Sequence, residues 1–557
     1  MENALINGKI KSSKQSGAYK FMLPAAFALH LFVFIYFLIK KPVHIDEAMT
    51  ILNANSLAKS GTDILGERLP IYFDTWLHGG QSPFATYLVA LMIKLFGYSL
   101  FITRVPMFIF SMLGLMAFYK FLKEAIPENE TLINIAFCLA CISPWHLYSS
   151  AFTLDCNFLP HIAMFGLYFL AKGINTQKSR YFVFSMFFFG LGFYCYILSA
   201  IIIPTFLAIL YLLLLIKKKI SIKDTLISLL TIFVVAIPFI LQGLVQFDVI
   251  DNLKLFGFSI SKMEYYSRGE EVTLTNGFMN LAKGFLSLMV PDLYSFNAIG
   301  TNSFNYTNSF GSLFLLIGCI FIFTDTVKKE NKYSFFVKAI IFCFTICSII
   351  ICTTTFKENA LYRFNIFNYT FILIESIGLY SFSSIFKKPI FKQATALLTI
   401  SSLLITSYCL YFYYSNEKNL NNNTMYTNSI IQCINEAKEN NISIECVSKD
   451  AYLYGNEINE RMIISVMFAN IESRKEFCNL KDTILDIGYF DNNFTDNNDF
   501  SDLPKFTNDN SIEIIDPNKE ITQNCVIVYN KQLKKLKYDK NSYKIKDFGS
   551  FVVLYKK

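Results

Sequence analysis

Charge is scarce in this sequence. Charged residues make up 17% of its 557 positions, against roughly a quarter in an average soluble chain, while 53% are apolar. With a mean hydropathy of +0.39, that shortage excludes the row of about three or four soluble globular domains that length alone would suggest. A Gly-rich phosphate loop of the GxxxxGK[ST] kind is missing, so nothing supports a nucleotide-binding pocket. Linkers rich in Gly, Ser or Pro and internal repeats are missing as well. Cys138 and Cys141 have zinc-ligand spacing but sit inside an apolar stretch, where packing is the plainer reading. The formal net charge of +8 would suit a nucleic-acid partner, yet the basic residues lie between apolar runs, which assigns them to membrane surfaces instead.

What fills the chain is apolar sequence. Eleven runs read as transmembrane helices, near 21–40, 103–122, 131–149, 157–172, 181–198, 199–216, 224–244, 310–327, 334–354, 364–384 and 393–413, because about 20 such residues are needed to cross about 30 Å of hydrocarbon. The run 83–97 is shorter and carries Lys94, as an interfacial helix does. A polar lead, 1–20, with Lys9, Lys11, Lys14 and Lys20 precedes the first run, and no small-residue cleavage site follows it. It reads as an anchor rather than a cleaved signal.

With the N-terminus in the cytoplasm, the inside loops hold Lys120 and Lys123; Lys172, Lys178 and Arg180; Lys217, Lys218, Lys219 and Lys223; Lys328, Lys329 and Lys332; and Lys387, Lys388 and Lys392. Every one is basic, as the positive-inside rule requires. The outer face then carries 41–102, 150–156, 245–309, 355–363 and all that follows 414. A preference for Lys over Arg with many Asn and Ile fits an AT-rich genome, and a bacterial cell membrane is the expected location.

From 415 to 557 the composition turns to Asn, Asp, Lys and Glu. Alternating runs at Cys525-Val-Ile-Val-Tyr529 and Phe551-Val-Val-Leu-Tyr555 read as strands, and 425–440 as a helix, of a small extracytoplasmic α/β or α+β domain. Nine of the 13 cysteines lie in or beside the apolar runs; Cys433, Cys446, Cys478 and Cys525 lie in the tail, where one or two disulfides could form.

The unusual polar residues gather on the outer face. His44-Ile-Asp46-Glu47 follows the first run and begins an amphipathic helix, Asp46 to Lys59. The plainer reading is two acids at a helix N-terminus, favoured there by the macrodipole. The same loop continues with Asp63, Glu67, Arg68, Asp74, His78 and Gln81, and Arg104 opens the second run. The next outer turn holds His146 and Asp155, and Lys357, Arg363 and Asn365 precede the tenth run. Ionisable residues at membrane depth are functional candidates because burying them unpaired is costly. An acid here can deprotonate an acceptor hydroxyl, and Lys or Arg can hold a phosphate. His44, His78 and His146 could assist, although an isolated histidine is more often a structural hydrogen-bonder.

The Asp46-Glu47 pair, Gln81-Ser-Pro-Phe-Ala-Thr-Tyr87 leading to Leu95-Phe-Gly-Tyr-Ser99, Thr103-Arg104-Val-Pro106, and Ser143-Pro-Trp-His146 come in an order and spacing that resembles the membrane glycosyltransferases of the GT-C fold. Within these the chain is most similar to the glycosyltransferase family 39 type, the protein O-mannosyltransferases and the lipid A aminoarabinose transferase. The resemblance covers about 20–385. It implies a GT-C-like membrane domain over 21–414, and an enzyme passing a sugar, with inversion, from a polyprenyl-phosphate donor to an extracytoplasmic glycan, lipid or protein.

Carried over, the resemblance makes Asp46 the general base, with Glu47 its neighbour and Asp155 a second acid. Arg104, Lys357 and Arg363 become candidates for the donor phosphate, and His44, His78, Gln81, His146 and Asn365 for positioning substrate. The chain departs from the pattern at Tyr148-Ser-Ser-Ala151, where an Arg commonly follows, and at Gln81-Ser-Pro83, in place of Lys-Pro-Pro. No cofactor is required, and the acids leave room for a divalent metal. The alternative is a transporter or flippase of a lipid-linked sugar, which would need midspan polar groups or repeat symmetry. Glu375 is the main midspan charge.

Overall fold

The computed structural model describes residues 17–40, 43, 45–64, 66–73, 80–263, 277–289, 311–328, 333–354 and 361–385, and in the tail 451–454, 514–515, 520, 525–529, 533–534, 537–548 and 551–557. Helices occupy ten of the eleven apolar runs, and the run at 393–413 lies outside the described residues.

Helix α1 (Gly17–Lys40) has 24 residues, about 36 Å at 1.5 Å per residue. Helix α2 (Ile45–Ser60) places Asp46 and Glu47 in its first turn and Lys59 in its last, each at the pole that suits its charge. Helix α3 (Pro83–Phe96) starts at Pro83 after an extended Ser82 and stops at Gly97, φ 78°. The proline's missing N–H is harmless at the first helical position, and the glycine takes a left-handed φ without strain. Helix α4 (Leu100–Ala125) is capped by Ser99, whose Oγ accepts from the Ile102 N–H at 3.2 Å.

Two apolar runs are not single helices. The stretch 131–149 divides into α5 (Glu130–Ile142) and α6 (Pro144–Ser149), because a residue before proline is pushed out of the helical region, and Ser143 adopts φ −58°, ψ 121°. The stretch 181–198 divides as well: α8 (Ser179–Leu191) ends in a 3-10 turn, Gly192–Tyr194. Between them runs α7 (Asp155–Thr176), and after them come α9 (Ser199–Ile216) and α10 (Ile222–Gln246). The stretch 245–309 contains a hairpin, β1 (Leu253–Leu255) with β2 (Phe258–Ile260), and α11 (Gly277–Met289). Next come α12 (Gly311–Lys328), α13 (Phe335–Thr354), a 3-10 segment Leu361–Phe367 and α14 (Asn368–Ile385).

Among the described residues, α4, α9, α10, α12 and α13 are long and apolar enough to cross a membrane, by length and composition. Leu226, Leu229, Leu230, Phe233 and Val234 on α10 stay exposed, as befits a helix with one face turned to hydrocarbon. Packing is closest where α4 lies along α7 and α12 along α14. In the second pair a Cβ on Gly378 would overlap the Phe314 carbonyl oxygen, and one on Gly318 that of Ile374. Small residues let helices approach this closely in lipid, where van der Waals contact drives association.

In the tail, β3 (Ala451–Tyr454), β4 (Ile514–Ile515), β5 (Cys525–Tyr529), β6 (Tyr543–Asp547) and β7 (Phe551–Lys556) form one mixed sheet in the order β4-β3-β5-β7-β6. Strand β3 is parallel to β4 and β5, and β7 is antiparallel to β5 and β6. The two alternating runs are β5 and β7. The helix expected at 425–440 and the tail cysteines other than Cys525 lie outside the described residues.

The helix contact yields a stability prediction. Gly378→Val should lower the thermal melting temperature in detergent markedly or prevent accumulation. Gly243→Ala in α10, where an added Cβ meets nothing within 4 Å, should be neutral or stabilising by up to about 1 kcal/mol.

Candidate active site

The ends of α1, α2, α4 and α7 meet at one ion pair. Arg104 donates from Nε to Glu47 Oε1 and from Nη2 to Glu47 Oε2, both at 2.7 Å, and from Nη1 to the Leu38 carbonyl at 2.9 Å. Both side chains have 0% exposure. Glu47 Oε1 also accepts the Thr153 N–H at 3.1 Å, and the Thr153 hydroxyl donates to the Thr103 carbonyl at 2.9 Å. One carboxylate and one guanidinium thereby fix α2 to the end of α1, the start of α4 and the 150–154 turn. A fork engaged in this way is turned inward, which sets Arg104 apart from a phosphate ligand on the open face.

Asp46, the preceding residue, is exposed. Its carbonyl accepts from the Thr50 hydroxyl at 3.0 Å and from Gln81 Nε2 at 3.4 Å, and Gln81 Nε2 donates to Thr50 Oγ1 at 2.8 Å. Gln81 therefore ties the loop before α3 to the start of α2. One residue on, the Ser82 N–H donates to Asp155 Oδ2 at 3.3 Å, and Asp155 Oδ1 accepts the Cys156 N–H at 2.7 Å. Asp155 is largely buried. The Asp46 backbone and the Asp155 carboxylate, remote in sequence, are thus bonded to two successive residues, Gln81 and Ser82.

Asn365 docks the segment before α14 onto the same surface. Its Nδ2 donates to Asn157 Oδ1 at 2.9 Å, its Oδ1 accepts from Trp145 Nε1, and Asn157 Nδ2 donates to the Ser149 carbonyl at 2.6 Å. These bonds seat the 3-10 segment on the first turn of α7, with Arg363 two residues before Asn365 and also buried. The β1–β2 hairpin is bonded to the segment between α2 and α3: the Ile71 N–H donates to the Ser259 carbonyl at 3.0 Å and the Ser259 N–H to the Arg68 carbonyl at 3.1 Å. Beside it the Tyr87 hydroxyl donates to the Pro70 carbonyl at 2.9 Å. Burial, and then the charge of Asp63, push that phenol above its ordinary range, so it remains a donor at physiological pH.

His146 is inside rather than at the outer surface, with 0% exposure, so a direct contact with substrate does not follow from its placement. It belongs to a cluster that sequence reasoning missed. Ring centres of His30 and His161 lie 5.3 Å from His146, and that of Tyr369 lies 5.6 Å away. His30 Nδ1 donates to the Cys141 carbonyl at 2.7 Å, His146 Nε2 pairs with Ser111 Oγ at 3.2 Å, and His161 Nδ1 pairs with the Tyr369 hydroxyl at 3.0 Å. Gly114 makes the room, for a Cβ there would overlap His161. The available signal was that His30 and His161 are ionisable residues inside apolar runs, two of only five histidines in the chain. Thr153, Trp145 and Asn157 carried no comparable signal.

His44, His78 and Lys357 lie outside the described residues. Among the described residues no group of three or more His, Cys, Asp or Glu side chains is placed to hold a metal ion.

Residues 80–241 match the family described as dolichyl-phosphate-mannose-protein mannosyltransferase. In three dimensions the chain is similar to ArnT from Cupriavidus metallidurans bound to undecaprenyl phosphate, with a TM-score of 0.55, 10% identity, and 96% of this chain and 98% of that one covered. The chain has the GT-C fold. The apo state of the same ArnT gives a TM-score of 0.54 at 10% identity with the same coverage. An oligosaccharyltransferase from Archaeoglobus fulgidus gives 0.48 at 13% identity, over 82% of this chain and 65% of that one. No curated protein matches the sequence. Of the GT-C chain's candidate residues, Gln81, Arg104, His146 and Asp155 fall within the matched segment, whereas Asp46, Glu47, Arg363 and Asn365 fall outside it.

The buried pair can be tested by substitution. Removing one partner strands a charge, so Glu47→Leu or Arg104→Met should each cost roughly 3–5 kcal/mol. The double substitution should recover much of that loss, because neither partner is then left as an unpaired buried charge. Thermal denaturation of the three variants in one detergent reads the difference.

Proposed function

We propose that this protein is a membrane glycosyltransferase that moves a sugar from a polyprenyl-phosphate donor to an extracytoplasmic acceptor. The observation that carries this reading is the split of one acidic pair. Glu47 is consumed inside by Arg104, while Asp46 is exposed and its backbone is bonded to Gln81, the residue before the Ser82 that binds Asp155, in a fold similar to a structure bound to undecaprenyl phosphate.

In the proposed reaction the acceptor hydroxyl oxygen attacks the anomeric carbon from the face opposite the phosphate. As the new C–O bond forms, the bond to the phosphate oxygen breaks, so configuration inverts. The hydroxyl proton passes to the Asp46 carboxylate. The charge that develops on the departing polyprenyl phosphate is met by Arg363 and Lys357, as cationic groups stabilise developing anions. Arg104 acts at one remove as a positioning residue, through Glu47. Asp155, with Gln81 and Ser82, shapes the acceptor side; His44 and His78 are assigned to acceptor positioning, and Asn365 holds the Arg363 segment. No step requires a metal. A divalent cation among the acids would show as loss of transfer in chelator, restored by Mg²⁺ or Mn²⁺.

The assignment extends to the chain's organisation: 1–20 in the cytoplasm, 21–414 as the membrane domain with outer loops 41–102 and 245–309, and 415–557 as a separate extracytoplasmic domain beside the acceptor.

Asp46→Asn decides the central claim. In purified protein assayed with defined polyprenyl-phosphate sugars, it should lower transfer roughly 10²–10⁴-fold while donor binding stays within about threefold, a margin set by the absence of Asp46 from the proposed phosphate contacts. Full transfer by the variant would eliminate Asp46 as base. Donor binding without turnover by the unaltered protein would favour movement of the lipid over chemistry on it. Arg363→Gln should instead weaken donor binding.

A further inference from the structure

Helices α8, α9 and α10 enclose a cavity of about 870 Å³, toward the upper end of the roughly 300–1,000 Å³ usual for ligand pockets. Its walls are almost wholly apolar, with Met186 and Phe193 at the back. Leu212, Leu229, Leu230 and Phe233 line its opening and are each more than half exposed. The cavity therefore opens sideways along α9 and α10, two helices fit to cross a membrane. Hydrocarbon, rather than water, is the medium such an opening suits.

One end of the cavity is different. Tyr211, Thr225 and Ser228 line it there, and their hydroxyls are internally engaged: Tyr211 donates to Ser228 Oγ at 3.0 Å, Ser228 to the Asp224 carbonyl at 2.7 Å, and Thr225 to the Ser221 carbonyl at 2.9 Å. Directly beyond, the turn from α9 to α10 carries Lys217, Lys218 and Lys219, and the first turn of α10 carries Lys223; all four are exposed. The acid nearby, Asp224, is buried and takes hydroxyl hydrogen bonds from Ser179 at 2.6 Å and Ser221 at 2.5 Å. That end of the cleft is thus flanked by basic residues.

This end of the cleft is remote from the candidate active site. The other end of α10 meets the outer-face hairpin segment, where Gln242 donates to the Ser261 carbonyl and Gln246 to that of Met263. Those two glutamines are about five and six helical turns from Lys223 at 3.6 residues per turn. A donor phosphate beside Asp46 and Arg363 cannot also lie among Lys217, Lys218, Lys219 and Lys223.

We propose that the cavity binds one anionic glycerophospholipid of the surrounding bilayer, with an acyl chain in the cleft and its phosphate at the four lysines. An apolar slot open to hydrocarbon selects a lipid tail, and a lysine cluster at membrane-surface level selects an anionic head. The proposal needs only that α9 and α10 lie in lipid; it does not depend on the glycosyltransferase reading.

Native mass spectrometry of the full-length protein, titrated with phosphatidylglycerol or phosphatidylcholine of identical chains, tests it. One phosphatidylglycerol should be retained per protein, at least tenfold more tightly than phosphatidylcholine. Replacing Lys217, Lys218, Lys219 and Lys223 together by Gln should shrink that preference to within twofold. Ala208→Trp, or Leu212→Trp, fills the cleft with the lysines intact and should abolish retention of either lipid. Equal retention of the two lipids by the unaltered protein, or undiminished phosphatidylglycerol binding in both tryptophan variants, would overturn the proposal. Displacement of phosphatidylglycerol by equimolar undecaprenyl phosphate would overturn it too, by giving the cleft to a polyprenyl chain.

Discussion

The bidentate contact between Glu47 and Arg104 governs the polar corner of this protein. Each group would be prohibitively costly to bury alone, so wherever one goes the other must follow. The Leu38 carbonyl and the Thr153 N–H complete the set, and four chain segments become one corner. The helix geometry does the rest. Successive residues on a helix are turned by about 100°, so when Glu47 points into the corner its neighbour Asp46 is directed elsewhere, here outward. The exposed carboxylate is therefore aimed by a residue that never has to meet substrate.

Much of the architecture was legible because lipid imposes simple rules. Run length and apolarity place the helices, and proline, glycine and serine mark several ends: Ser82-Pro83 before α3, Gly97 after it, Ser99 before α4. Where the reading failed, a local rule had been outweighed by run length. Pro144 sits in the middle of an apolar stretch that looks long enough to cross, yet it divides that stretch into two helices. The hairpin at 253–260 is invisible as a pattern because each strand is only three residues long.

The polar corner was legible in membership but not in pairing. Asp46, Glu47, Asp155, Arg104 and Arg363 could all be picked out as charges beside hydrocarbon. Nothing in their spacing said that Arg104 would turn inward to Glu47 over a separation of 57 residues, leaving Arg363 as the described cation proposed for phosphate. The histidine cluster was overlooked for a similar reason: its members come from α1, α6 and α7, one per segment, and convergence of that kind exists only in three dimensions.

The interruption at Ser143-Pro144 reaches further than the shape of one helix. Helix ends leave carbonyls that must find donors from outside the helix, and in the last turn of α5 the Cys141 carbonyl finds one in His30, 111 residues earlier. The imidazole in the first span thus complements the broken end of a later one. Its Nδ1 is committed to a backbone acceptor, so the side chain is locked in one tautomer. Among relatives, a histidine or another donor at position 30 should therefore be inherited together with the proline at 144, and a lineage that heals the break should be free to lose it.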